Sequence, residues 1–142
     1  MDRVLVSACL LGTPCRFDGR AKLDLPWLAT LDAVPMGFCP EEAGGLGTPR
    51  RAAWLVGGDG EDVWAGRARV VDEDGRDRTH AFQQGAVRAL AALLALGCRS
   101  AVLKQGSPSC GCGRTRVEGE RAGGDGVTAA LLLRVGISLE PR

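Results

Sequence analysis

Three short apolar runs in this chain give way to loops rich in Gly, Pro and small polar residues, and a cysteine stands at each transition. Cys9 closes VLVSAC, Cys39 closes VPMGFC, and Cys110 lies in SPSCG, just beyond SAVLK. Runs this short read as buried strands of a parallel sheet rather than as helices. Parallel strands bring their carboxyl ends to one edge. Three thiols far apart in sequence would then meet on one rim, the makings of a three-thiolate metal centre.

The rest of the chain supports that topology. Strands are expected at residues 4–8, 33–38, 100–103 and 137–139. A helix is expected over residues 80–96, with Thr79 as its N-cap and Gly97 as its stop. A second is expected over 126–135, and a weaker helical segment contains Pro26 in its first turn. Residues 52–56 and 63–71, joined by GGDGED, read as a β-hairpin. Alternating strands and helices imply an α/β fold: a three-layer, Rossmann-like parallel sheet with helices on both faces and a small β-hairpin insertion. No repeat or linker interrupts the chain, so residues 1–142 read as a single domain. In such sheets ligands bind beyond the carboxyl ends of the strands.

With 142 residues and an apolar fraction of 45%, a folded globule is expected. The formal net charge of +1 gives no broad attraction to nucleic acid or anionic membrane. A local pair such as Arg50 and Arg51 can still grip one anion. The N-terminus lacks signal-peptide features, and no stretch approaches the roughly 20 apolar residues of a membrane helix. A cytoplasmic location is therefore expected, where six cysteines read as thiols, ligands or nucleophiles rather than disulfides.

A single cysteine at a strand end is as often a small core residue as a ligand. Core cysteines, however, need no Gly/Pro-rich loops around them. Cys98, after the Gly97 helix stop, is the best candidate for an ordinary buried thiol. Cys15 and Cys112 stay open as spare thiols, a redox pair or extra ligands. No CxxC pair occurs, which argues against a zinc ribbon. A zinc ion on Cys9, Cys39 and Cys110 and a cubane iron–sulfur cluster on the same thiolates both fit dispersed ligands. Gly44, Gly45, Gly47, Gly111 and Gly113 could let backbone N–H groups approach bridging sulfides. His80, the one histidine, reads as structural or exposed. Trp27, Trp54 and Trp64 read either as packing residues or as stacking platforms for a heterocycle.

The stretches VSACLLGTPCRFDGR, CPEEAGGLGTPR, THAFQQGA, LKQGSPSCG and GDGVTAALLLRVGI follow one another along nearly the whole chain. Together they resemble a bacterial family, long labelled only as a domain of unknown function, that includes 2-thiouracil desulfidase. The resemblance implies a [4Fe–4S] cluster on three cysteines, matched here by Cys9, Cys39 and Cys110. It implies a fourth iron open to the sulfur of a small thiocarbonyl substrate, such as a thiolated pyrimidine. Oxygen from water then replaces that sulfur, and hydrogen sulfide leaves without net redox change. Family membership alone does not fix the substrate.

Given that chemistry, a carboxylate beside the cluster should activate water, with Glu41 the first choice and Glu42 the second. Against this stands the plainer role of a first-turn helix carboxylate. Ser107 and Ser109 are candidates to hydrogen-bond the water or the substrate. Lys104 is a candidate to stabilise a developing anion or pair with Glu41. Asp18 would hold a ring N–H or orient Arg16, unless it simply makes an Asx turn with Gly19. A zinc-thiolate hydrolase and a non-catalytic iron–sulfur sensing module are the competing readings. No nucleic-acid or membrane partner is expected, and the chain should be a monomer or homodimer.

Overall fold

The computed structural model describes residues 2–118 and 120–142. Its elements are β1 (Arg3–Ser7), a 3₁₀ turn (Ala8–Leu11), α1 (Leu25–Leu28), β2 (Val34–Phe38), α2 (Pro40–Ala43), β3 (Ala53–Val56), α3 (Gly60–Trp64), β4 (Arg69–Asp72), α4 (Thr79–Ala95), β5 (Ser100–Leu103), β6 (Arg114–Val117), β7 (Glu120–Gly123), α5 (Val127–Arg134) and β8 (Ser138–Pro141). β2, β1, β5 and β8 form one sheet in that order, with every pairing parallel. The chain leaves β1 for β2 on one side and later returns to β5 on the other. Strand order therefore reverses at β1, and the crevice beyond its carboxyl end is where such sheets bind ligands.

Alternation along the central strands divides the core. Leu5, Ala101 and Leu103 pack against Ala89 and Leu93 of α4 and Ala129 and Leu132 of α5. On the opposite face Val4, Val6 and Val102 pack against Trp27 of α1, with Ala8, Leu10 and Cys15. Each large apolar side chain buried this way contributes about 1.5–3 kcal/mol. The α/β architecture is thus the one the sequence implies, with a thin α1 layer on one face and the long helices on the other.

The second sheet, ordered β4-β3-β6-β7, is larger than the expected hairpin. β3 pairs antiparallel with β4, parallel with β6, and β6 antiparallel with β7. The expected second hairpin strand over residues 63–71 is shortened to β4. Residues 60–64 turn instead into α3, because Asp59 and Asp62 form a reciprocal capping box. Phe82 and Ala86 of α4 pack with Leu55, Val63, Val70 and Val127. α4 and α5 are thereby held between the two sheets.

α4 ends as expected, with Gly97 at φ +71. Its start differs: Thr79 is the first helical residue, and its hydroxyl accepts the Val70 N–H at 2.9 Å. α4 also fixes α2. A Cβ on Gly85 would overlap the Pro40 carbonyl oxygen, and one on Gly44 would overlap that of Ala81. The two backbones approach closely only because both positions lack side chains, and this contact sets the position of α2. Among the described residues, no helix is long and apolar enough to cross a membrane.

Candidate active site

The three carboxyl ends open into one cavity of about 560 Å³, whose lining includes Cys9, Cys39 and Cys110. Cys9 lies in the 3₁₀ turn after β1, Cys39 is the N-cap of α2, and Cys110 sits in the loop after β5. That loop is locked to α5. Carbonyls of Pro108 and Ser109 accept the N–H groups of Val127, Thr128 and Ala129, satisfying donors that a helix N-terminus leaves free. Cys15, Arg16, Phe17, Glu41, Arg50, Lys104, Gln105 and Ser107 also line the cavity.

All six cysteines are free thiols. Burial pushes the Cys110 thiol up to about 12, opposed by hydrogen bonds from the Ser7 and Ser109 hydroxyls and reinforced by the charges of Glu41 and Cys39. Burial also raises Cys9, while the Lys104 ammonium and Arg16 pull it back and Cys39 pushes it up.

The spacing distinguishes two kinds of metal centre. Among the described residues, the one group of three Cys, His, Asp or Glu side chains with ligand atoms within 4.8 Å of one another is Cys15, Cys39 and Glu42. Cys9, Cys39 and Cys110 surround the cavity on a wider circle than a single ion spans. Three soft thiolates around a space of this size fit a multi-iron cluster, whose iron atoms stand apart from one another.

Glu41 faces the cavity from the first turn of α2. Its Oε2 accepts from Arg50 Nε at 2.8 Å and Nη2 at 2.7 Å, in a pair whose side chains are only 9% and 15% exposed. Its Oε1 accepts from the Ser107 hydroxyl at 3.1 Å. Ser107 Oγ itself accepts the N–H groups of Ser109 and Cys110, at 3.0 and 3.1 Å. Both acceptor positions of the hydroxyl are then taken, and its single hydrogen points to Glu41. Arg50 is itself held: Nη1 donates to Gly47 O and Thr48 Oγ1, and its N–H donates to Phe17 O.

The remaining expected site residues divide. Lys104 lines the cavity, its N–H donating to Ser7 Oγ and its Nζ to Gln105 O. Arg16 lines it too. Asp18 does not: its carboxylate accepts the Arg20 N–H at 3.0 Å in an Asx turn and pairs with the Arg20 guanidinium. Ser109 is fully buried, with its hydroxyl 2.8 Å from Thr128 Oγ1 and hydrogen-bonded to the Cys110 thiol. It sits behind Cys110 and does not line the cavity. None of Gly44, Gly45, Gly47, Gly111 and Gly113 lines the cavity, and neither does any tryptophan.

Cys98 is a core thiol, as expected. Cys112 does not line the cavity but packs against the core, its backbone clasped at both N–H and C=O by the Gln105 side chain. Cys15 is at the site. Arg50, which lines the cavity and pairs with Glu41, is the site residue the motifs did not single out. The one signal for it was its place at the end of CPEEAGGLGTPR, where it read only as half of a basic pair.

The model of the 2-thiouracil desulfurase family matches residues 4–141. The uncharacterized protein YbbK of Bacillus subtilis (strain 168) is 40% identical over 138 residues, covering 94% of this chain and 91% of that protein. The solved structure of a [4Fe–4S]-dependent thiouracil desulfidase, TudS, is similar with a TM-score of 0.84 and 46% identity. The match covers 100% of this chain and 91% of that one.

Proposed function

The chain belongs to the 2-thiouracil desulfurase family, and from that premise we propose that it is a desulfidase that hydrolyses the C=S group of a thiolated pyrimidine. The overall change is thiocarbonyl plus water to carbonyl plus hydrogen sulfide, with no electrons gained or lost. Cys9, Cys39 and Cys110 would hold a [4Fe–4S] cluster, which when bound supplies a thiophilic Lewis acid.

The observation that carries the reading is the doubly anchored Glu41 carboxylate on the wall of the thiol-lined cavity. Arg50 and Ser107 each occupy one of its oxygens and fix its plane. A water beside it is oriented for attack on the carbon that bears sulfur, and Glu41 takes the water's proton. Such a base is worth about 10²–10⁴-fold in rate. Ser107 is a positioning residue, since its one hydrogen is committed to Glu41. Lys104 and Arg16 give the cavity positive potential, which favours charge building up on the attacked ring. Phe17 and Phe38 contribute apolar surface to the cavity wall.

The test is sulfide release from 2-thiouracil by the anaerobically reconstituted enzyme, run in isotopically labelled water. Uracil carrying the label and stoichiometric sulfide are expected. Glu41→Gln should keep the iron and sulfide content of the parent while turnover falls about 10²-fold or more. Unchanged turnover in that variant removes Glu41 as the base. No sulfide from any thiolated pyrimidine removes the activity itself.

A further inference from the structure

We propose that Cys15, Cys39 and Glu42 form a second, mononuclear site for a thiophilic divalent cation of the zinc class, and that filling it excludes the cluster because both require Cys39. The three ligand atoms lie within 4.8 Å of one another. Two thiolates at about 2.3 Å and a carboxylate oxygen at about 2.0–2.2 Å from zinc stand about 3.5–4 Å apart on a tetrahedron, so the group closes on an ion with small side-chain adjustments.

The three residues come from two segments that the fold brings together. Cys15 lies in the loop between the 3₁₀ turn and α1, its N–H donating to Thr13 O at 2.8 Å. Cys39 caps α2, and its Sγ lies 3.8 Å from the Cys15 carbonyl oxygen, to which it donates. Glu42 is in the first turn of the same helix. Its neighbour Glu41 is committed to Arg50 and Ser107, whereas the Glu42 carboxylate makes no hydrogen bond or ion pair among the described residues, only its backbone carbonyl accepting the Gly45 N–H.

Burial runs from buried Cys15 through half-buried Cys39 to exposed Glu42. The ion would enter from solvent on the Glu42 side and keep a water as its fourth ligand. Binding exchanges two thiol protons for one divalent cation, so two protons leave per ion. Soft thiolates select zinc over magnesium or calcium. The cation site stands on its own geometry. Only the exclusion of the cluster rests on Cys39 being a cluster ligand.

The experiment titrates the full chain, cluster-free and reduced under anaerobic conditions, with Co(II) as a spectroscopic probe and then with Zn(II) as competitor. One Co(II) per chain is expected, with thiolate-to-cobalt charge transfer, tetrahedral d–d bands and release of about two protons. Zinc should bleach those bands. Cys15→Ser should weaken Co(II) binding by about 100-fold or more and Glu42→Gln by about 10-fold. Cys110→Ser should leave it within about threefold of the parent while abolishing cluster assembly. That contrast separates failure of the cation site from failure of the cluster assignment.

Zinc-loaded protein should assemble its cluster only after a chelator is added. If Cys15→Ser proves unfolded by circular dichroism, Glu42→Gln at an exposed position carries the test. The proposal is overturned if no thiolate–cobalt band forms. It is equally overturned if Cys9→Ser or Cys110→Ser abolishes the band, or if Glu42→Gln leaves the affinity unchanged.

Discussion

Arg50→Met isolates the contact that holds Glu41, the base proposed above. The change keeps an unbranched apolar stem and removes the guanidinium and its charge, leaving Glu41 facing a largely buried gap. The pair is 9% and 15% exposed, far from the surface pair Arg67–Asp62 at 67% and 31%. Removing one partner of a buried pair costs about 3–5 kcal/mol, whereas exposed pairs are worth roughly 0–1 kcal/mol. Access of cavity water to Glu41 places the expected loss at the lower end, about 3 kcal/mol. Two further bonds, to Gly47 O and Thr48 Oγ1, disappear with the guanidinium. Urea unfolding of the cluster-free chain under reducing conditions measures the loss, with Arg67→Met as a control expected to shift by less than about 1 kcal/mol. Combining Arg50→Met with Glu41→Gln should recover part of the stability, because the uncompensated charge is then gone. The reasoning fails if Arg50→Met unfolds at the parental midpoint, or if the double variant is as unstable as the two single losses added.

Other outcomes follow from the same structure. Gly85→Ala would gain about 1 kcal/mol of helix propensity, but its Cβ overlaps a backbone carbonyl that cannot yield, at a cost of about 1–3 kcal/mol. The melting temperature should fall and turnover with it, because α2 is displaced; a raised melting temperature would contradict the close approach. Burial opposes ionisation of Asp72, yet N–H groups of Arg76 and Asp74 and the Arg78 guanidinium outweigh it and hold the carboxyl below its usual range. A depressed carboxylate stabilises the fold above its unfolded value of about 3.9 and loses that contribution as pH falls through the lower folded value. Asp72→Asn should therefore flatten acid unfolding below about pH 4; an unaltered acid limb would show that Asp72 does not contribute to it.

What the sequence revealed of this fold depended on where local pattern and tertiary structure agreed. β1, β5 and α4 carry dense apolar signals, and Gly97 marks a helix end by the left-handed conformation it alone adopts freely. β6 and β7 escape the sequence reading because residues 114–123 are largely charged and small, and β6 is placed by its pairing with β3 and β7. α3 was hidden behind GGDGED, which reads as a turn until Asp59 and Asp62 are seen to cap each other. The thiols were visible because a strand end followed by a Gly/Pro loop is a sequence signal. Arg50 was not, because its role depends on a loop folding back onto α2, nine residues from its partner. Asp18 and Ser109 lie outside the cavity lining for a related reason: polar residues in motif loops often hold the loop itself.

The central claim is that Cys9, Cys39 and Cys110 together hold the cluster. Iron and acid-labile sulfide, measured after anaerobic reconstitution of each single Cys→Ser variant, test it most directly. The account predicts about four of each per chain in the parent and in the Cys15, Cys98 and Cys112 variants, with loss of both in the other three. A full complement in any one of the Cys9, Cys39 or Cys110 variants, or its loss in Cys98→Ser, would contradict it.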